Sequence, residues 1–286
     1  EDMSELDVKY CALADGQNLA YRAAGESENG IPLLFIHGLP DASDTWLPLI
    51  AEVARRHRVY AVDLAGYGHS ARPENYDVSI AAQSNYLMAF LDSLNIGKAI
   101  LIGHDIGGGI AQIIAAKNPP RAAGLILINP IVDHYWPVLE TRMLRVPLLA
   151  PLTLRIFEKL MWKHIITKGL SNPKAATEAM ITRYQQWYRG PEGRRRLLRN
   201  TRALRNTDLT TWSAAIRVLN LPTLLLWGHD DKYLKTKPAQ QLCQEMQNCQ
   251  FEFIEGAGHY VWDEQSQKVV THILQFLGTL SGSSNS

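Results

Sequence analysis

Asp105 sits where a carboxylate can do chemistry. It lies in Leu101-Ile102-Gly103-His104-Asp105-Ile106-Gly107-Gly108-Gly109, with an apolar run at 99–102 before it and a helical pattern at 110–116 after it. That order predicts a strand, a tight turn and a helix, with Asp105 at the apex. Gly103, Gly107 and Gly108 let strand and helix pass closely. A residue on so sharp a turn carries a strained backbone. A carboxylate is ionised at neutral pH and attacks without a base. Attack on saturated carbon leaves an alkyl ester, which water can hydrolyse. A serine alkoxide would leave an ether, which water does not readily cleave. Ester hydrolysis does need a base, and the sequence offers His259 in Glu255-Gly256-Ala257-Gly258-His259. An acid to orient it is available in Trp227-Gly228-His229-Asp230-Asp231.

These groups are far apart in sequence, so a scaffold must gather them. Residues 8–13 and 17–23 read as a hairpin around Asp15-Gly16. Residues 31–36 are an apolar run of buried-strand length that ends in His37-Gly38-Leu39-Pro40. An amphipathic helix at 46–53 and a strand at 59–62 follow, then a helix capped by Ser79 and running to about Leu94. After the Asp105 turn comes a strand at 124–128, stopped by Asn129-Pro130. Strands alternating with helices predict a parallel sheet with right-handed crossovers. From 132 to 213 the strand-like runs vanish, and leucine, tryptophan and arginine recur at helical spacing, broken by prolines. This stretch reads as a helical insertion over the sheet. The sheet resumes at 222–226, with a helix at 238–246, a strand at 251–254 and a closing helix at 264–276. Ligands of open parallel sheets bind beyond the carboxyl ends of the strands. His37-Gly38, Asp105, Asp230-Asp231 and His259 all fall at such ends.

With these motifs in the order nucleophile, acid, histidine, the chain resembles an α/β-hydrolase of the epoxide hydrolase and haloalkane dehalogenase branch across residues 8–277. The resemblance implies an α/β-hydrolase core at 1–131 and 214–278 and a helical cap at 132–213, while the polar, glycine-containing end predicts a disordered tail at 279–286. It implies Asp105 as nucleophile and His259 as base. Asp231, the last residue of Gly-x-x-Asp, is implied as the orienting acid, with Asp230 a solvated loop residue. The backbone N–H groups of Leu39 and Ile106 would form the oxyanion hole. His37, His69 and His104 would support loops.

The family pattern is not matched throughout. The dehalogenases carry a halide-binding tryptophan after the nucleophile, where this chain has Ile106, and some carry asparagine where it has Leu39. A cap tryptophan (Trp136, Trp162 or Trp187) would have to compensate. Haloacetate dehalogenases place arginines where this chain has Ile106 and Gly109, which disfavours a halocarboxylate. Epoxide hydrolases need a cap tyrosine to hydrogen-bond the epoxide oxygen. Tyr135, Tyr184 and Tyr188 are the candidates, against the alternative that they are packing aromatics. Arg194, Arg195, Arg196, Arg199, Arg202 and Arg205 crowd one helix and read as a solvated face. The sharper alternative turns one of them inward toward an anionic substrate.

The bulk properties set the frame. At 286 residues and 46% hydrophobic composition, the chain suits one large α/β domain with an insertion. A net charge of +1 steers neither nucleic acid nor an acidic membrane globally. Cys11, Cys243 and Cys249 have no metal or redox spacing, and an odd count predicts a reduced, cytoplasmic setting. No leader pattern or membrane-length apolar run is read. The expectation is a cofactor-free and metal-free hydrolase acting at saturated carbon, monomeric or homodimeric, with a small, largely apolar substrate. Epoxide opening leads, a dehalogenase with atypical halide donors is the alternative, and a lyase, isomerase or binding member is the second.

Overall fold

The computed structural model describes residues 6–26, 30–70, 76–147 and 149–282. The chain runs β1 (Lys9–Ala12), β2 (Asn18–Ala24), β3 (Leu33–Ile36), α1 (Leu47–Val53), β4 (Val59–Val62), α2 (Ile80–Ser93), β5 (Ala99–Asp105), α3 (Ile106–Lys117) and β6 (Ala122–Pro130). Six helices follow without a strand: α4 (Leu139–Met143), α5 (Leu149–Gly169), α6 (Glu178–Gln185), α7 (Gly190–Ala203), α8 (Thr207–Thr210) and α9 (Ser213–Arg217). The chain then completes the sheet with β7 (Thr223–Gly228), α10 (Thr236–Glu245), β8 (Cys249–Ile254) and α11 (Val261–Gly282).

The apolar runs become the middle of one eight-stranded sheet of order β1-β2-β4-β3-β5-β6-β7-β8. The β1–β2 and β2–β4 pairs are antiparallel and the rest parallel. Every residue of β3, β5 and β7 is buried, as continuous apolar strands require when helices cover both faces. Alternate residues divide into two cores. Leu34, Ile36, Leu101, Leu127 and Leu225 pack with Leu87 and Phe90 of α2 and Ile110 and Ile114 of α3. Phe35, Ile102, Ile126, Ile128 and Leu226 pack with Ile50 of α1 and Val269 and Ile273 of α11. A third cluster joins α5, α6 and α7 through Leu154, Trp162, Ile181, Tyr184 and Leu197, and reaches Tyr260.

Several element ends differ from expectation. The helix after Asp105 begins at once, at Ile106, because Gly107 and Gly108 allow its first turn against β3 and β6. β6 runs on through Asn129 to Pro130, which pairs with Asp105 after a register shift. α11 continues to Gly282, so residues 279–282, expected in the tail, are helical. Leu277 is buried and Leu280 packs on the same core, extending the apolar stripe. Residues 283–286 lie outside the described residues. Cys243 and Cys249, expected as reduced thiols, form a disulfide. The reversal between α10 and β8 brings their Cα atoms to 5.3 Å, within bridging range. The odd cysteine count is therefore one pair plus the buried Cys11. Among the described residues no helix is long and apolar enough to cross a membrane.

Candidate active site

The sharp turn between β5 and α3 holds Asp105 at φ 50° and ψ −118°. A non-glycine residue there costs on the order of 1–3 kcal/mol, which the surrounding packing must offset. The close approach is visible at two glycines. A Cβ on Gly103 would lie 2.4 Å from the Gly107 carbonyl oxygen, and one on Gly107 would lie 2.1 Å from that of Ile36. The Leu39 N–H donates to Asp105 Oδ2 at 3.1 Å. The Ile106 N–H also bonds the carboxylate. Burial raises the pKa of this carboxyl, while the positive field of His259 and the two amides act against the rise.

His259 follows β8 on a loop pinned by its own N–H, which donates to the Gly169 carbonyl at 2.6 Å. Its Nδ1 lies 2.8 Å from Asp231 Oδ2. Asp231 is fixed on its other side by the N–H groups of Tyr233 and Leu234, which donate to Oδ1 at 2.7 and 3.1 Å. Burial alone would lower the His259 pKa. The charge and hydrogen bond of Asp231, and the charge of Asp105, outweigh it, and the net shift is upward. Asp231 shifts downward, since His259 and the donors around its carboxylate outweigh burial. Asp230 points outward to Ser171 Oγ at 2.5 Å.

Asn129, read from sequence only as a strand stop, joins this group. Its Nδ2 donates to Asp231 Oδ2 at 2.6 Å, and its Oδ1 accepts from the Gly228 N–H at 2.9 Å. It has φ 40°, a conformation that asparagine tolerates better than most residues. No spacing rule would have found it, because the link is made across neighbouring strands. Asp41 also went unread. Its Oδ2 faces His104 Nδ1 at 3.7 Å, and among the described residues neither atom makes a hydrogen bond. Burial pushes the Asp41 pKa far up and the His104 pKa far down, each toward its neutral form. His104 Nε2 donates to the His259 carbonyl at 3.0 Å, tying the Asp105 and His259 loops together from behind. His37 accepts from the Leu64 N–H at Nε2, 3.0 Å, so its Nδ1 donates to the Gly38 carbonyl. His69 bonds Asp63 and packs edge-on to Trp187.

Asp105, Ile106, Leu39 and His259 open into one cavity of about 690 Å³, its mouth included. Its walls are mostly apolar: Ile131, Trp136, Val138, Leu144, Trp162, Ile165, Leu197 and Leu204. The tyrosines named from the sequence do not line it. Tyr135 is 48% exposed. Tyr184 donates its hydroxyl proton to Asp263 at 2.6 Å. Tyr188 is buried and stacks on Trp162. The lining tyrosines are Tyr233 and Tyr260, which the sequence reading missed because neither lies between β6 and β7. Tyr233 donates to the Ile165 carbonyl at 2.7 Å. Tyr260 is buried beside His259, and burial raises its pKa well above the usual value, so it keeps its proton. Of the tryptophans, Trp136 donates to the Asp133 carbonyl, Trp162 lines the cavity and Trp187 does not. None of the α7 arginines lines it. Arg194 pairs with Glu158, and Arg196 and Arg199 donate to the carbonyls of Gly68 and Tyr76.

Comparison with known proteins agrees with this fold. Residues 31–265 match a family described as the alpha/beta hydrolase fold. A haloalkane dehalogenase of Mesorhizobium japonicum is 29% identical, the alignment covering 91% of this chain and 87% of that protein. Epoxide hydrolase 4 of Homo sapiens is also 29% identical, over 94% of this chain and 78% of that protein. The crystal structure of the haloalkane dehalogenase DbeA from Bradyrhizobium elkani superposes with a TM-score of 0.84 at 21% identity, over 98% of this chain and 100% of that one. At that identity the likeness speaks for the fold.

Proposed function

The chain belongs to the alpha/beta hydrolase fold family, and from that premise we propose a hydrolase that attacks saturated carbon through an ester on Asp105. The observation that carries the reading is the carboxylate itself. It stands at the strained apex where a serine would serve acyl transfer, in a mostly apolar cavity, with His259, held from behind by Asp231, on the same cavity. Epoxides are the leading substrate class. Asp105 Oδ1 attacks a ring carbon, the carbon–oxygen bond breaks, and the alkoxide takes the Tyr260 proton. Oδ2, already facing the Leu39 N–H, becomes the ester carbonyl oxygen. His259 then takes a proton from water, and hydroxide adds to that carbonyl. The Leu39 and Ile106 N–H groups hold the oxyanion. Collapse frees the diol and restores the carboxylate. Of the two protons of water, one goes to the released alkoxide and the other returns to Tyr260.

Tyr260 replaces the three tyrosines named from sequence because it lines the cavity and they do not. Haloalkane displacement is the second reading, favoured by Trp162 on the cavity wall and by the dehalogenase relative. The two readings separate at Tyr260→Phe, which slows epoxide opening by about a hundredfold or more and spares halide loss. The covalent step is tested by one turnover with enzyme in excess in oxygen-18 water. The label is expected in Asp105 and absent from that first product. Label in the first product instead would mean direct attack by water, and no label in either would place the protein among the lyases or isomerases.

A further inference from the structure

The surface of α4 and α5 exposes side chains that soluble proteins ordinarily bury. Leu139 and Met143 of α4 are 68% and 58% exposed, and Leu152, Ile156, Phe157 and Leu160 of α5 are 54%, 59%, 51% and 66% exposed. α5 kinks at Phe157, and Leu152 and Ile156 before the kink and Leu160 after it are all exposed, so an apolar row faces outward on both sides of it. A cluster of exposed large apolar side chains marks a contact surface. Between the two helices runs a groove of about 860 Å³, mouth included. Glu140, Leu144 and Ile165 line both this groove and the Asp105 cavity, so the two adjoin across those side chains.

The charge around the patch is of one sign. The exposed charged residues between 139 and 163 are Arg142, Arg155, Lys159 and Lys163. The two acids of that stretch are partly buried and paired, Glu140 with Lys168 and Glu158 with Arg194. On α5, Arg155 before the kink and Lys159 and Lys163 after it are exposed among these apolar residues.

We propose that this face docks on an anionic lipid surface. The apolar row enters the interface, the cations meet the head groups, and the groove admits apolar molecules dissolved in the lipid. A second copy of the chain is a poor occupant, because face-to-face pairing would set the cations of the two copies against each other. The near-neutral whole chain hides this local field. The inference does not depend on which bond Asp105 breaks, since its readout is binding.

The test is flotation of the whole chain with vesicles of phosphatidylcholine alone or mixed with phosphatidylglycerol. The protein is expected to float with the mixed vesicles only, and less so at high salt. Each of Arg155→Ala, Lys159→Ala and Lys163→Ala weakens binding about fivefold. The triple variant Leu152→Ser/Ile156→Ser/Leu160→Ser abolishes it while Tm and turnover of a water-soluble substrate stay as in the parent. Failure of the parent to float with the mixed vesicles would overturn the proposal, as would undiminished flotation of the serine triple variant. A dimer in sedimentation equilibrium that the same triple variant dissolves would assign the face to a second copy instead.

Discussion

At the scale of the residue, the site works by opposed electrostatic influences on two buried groups. His259 is held above its ordinary pKa by Asp231 and partly by the Asp105 charge, which an ester on Asp105 would remove. The histidine must be neutral to take a proton from water, so ester hydrolysis slows as pH falls through its pKa. The midpoint of that slowing, measured by rapid-quench kinetics, is expected below the His259 midpoint of the free protein measured by NMR. Equal midpoints would mean that Asp105 does not remain charged beside it. Asn129 is the second residue with a measurable role. Asn129→Ala leaves Asp231 without one donor and the buried Gly228 N–H without its acceptor. Stability is expected to fall by about 1–3 kcal/mol in urea melts, and kcat by about tenfold. Asp105, His259 and Asp231 were legible as candidates because each lies in a motif that follows an apolar run. Asn129, Asp41 and Tyr260 were not, because their partners come from other strands and loops and no local pattern encodes such pairings.

At the scale of the element, the β5–turn–α3 unit is decided by close backbone approach. Gly107→Ala puts a methyl group 2.1 Å from a β3 carbonyl oxygen that cannot retreat without breaking the sheet. The expected result is loss of about 3 kcal/mol or more, or failure to fold, by thermal melt of the purified protein. Gly97→Ala, where no atom lies within 4 Å of the new Cβ, is the control and leaves Tm within a few degrees. Strands were legible from their apolar runs, since both faces of β3, β5 and β7 are covered. Their ends were less so. Asn129 and Pro130 look like strand stops locally, yet pairing beside Asp105 carries β6 through both. The Cys243–Cys249 bridge was hidden for a similar reason, because a six-residue spacing says nothing until α10 and β8 fold back on each other.

At the scale of the whole molecule, the helices between β6 and β7 are latched to the sheet next to the site. Arg183 of α6 bonds both oxygens of Asp263 in α11 at 2.6 Å, and the Tyr184 hydroxyl donates to the same carboxylate. Asp263 is almost fully buried, so removing its charge strands the guanidinium. Asp263→Asn is expected to cost about 3 kcal/mol, by analogy with broken buried pairs, and to raise KM more than it lowers kcat. An unchanged KM would show that the latch does not shape the cavity. The helical character of 132–213 was legible from spacing. The choice of which aromatic enters the cavity was not, because helix rotation is set by the third core of Trp162, Tyr184 and Tyr260. That packing turns Tyr184 and Tyr188 away and leaves Tyr260 on the wall.

Asp105 is expected to form an ester that His259 helps water to cleave. His259→Gln removes the base and keeps the cavity, so the ester should accumulate. The variant is mixed with a panel of epoxides and haloalkanes, and the Asp105 peptide is weighed. A gain equal to the whole epoxide mass is the predicted result, and a gain equal to the haloalkane less HX would assign the second reading. An Asp105 peptide of unchanged mass, with substrate consumed by the parent protein under the same conditions, would contradict the account.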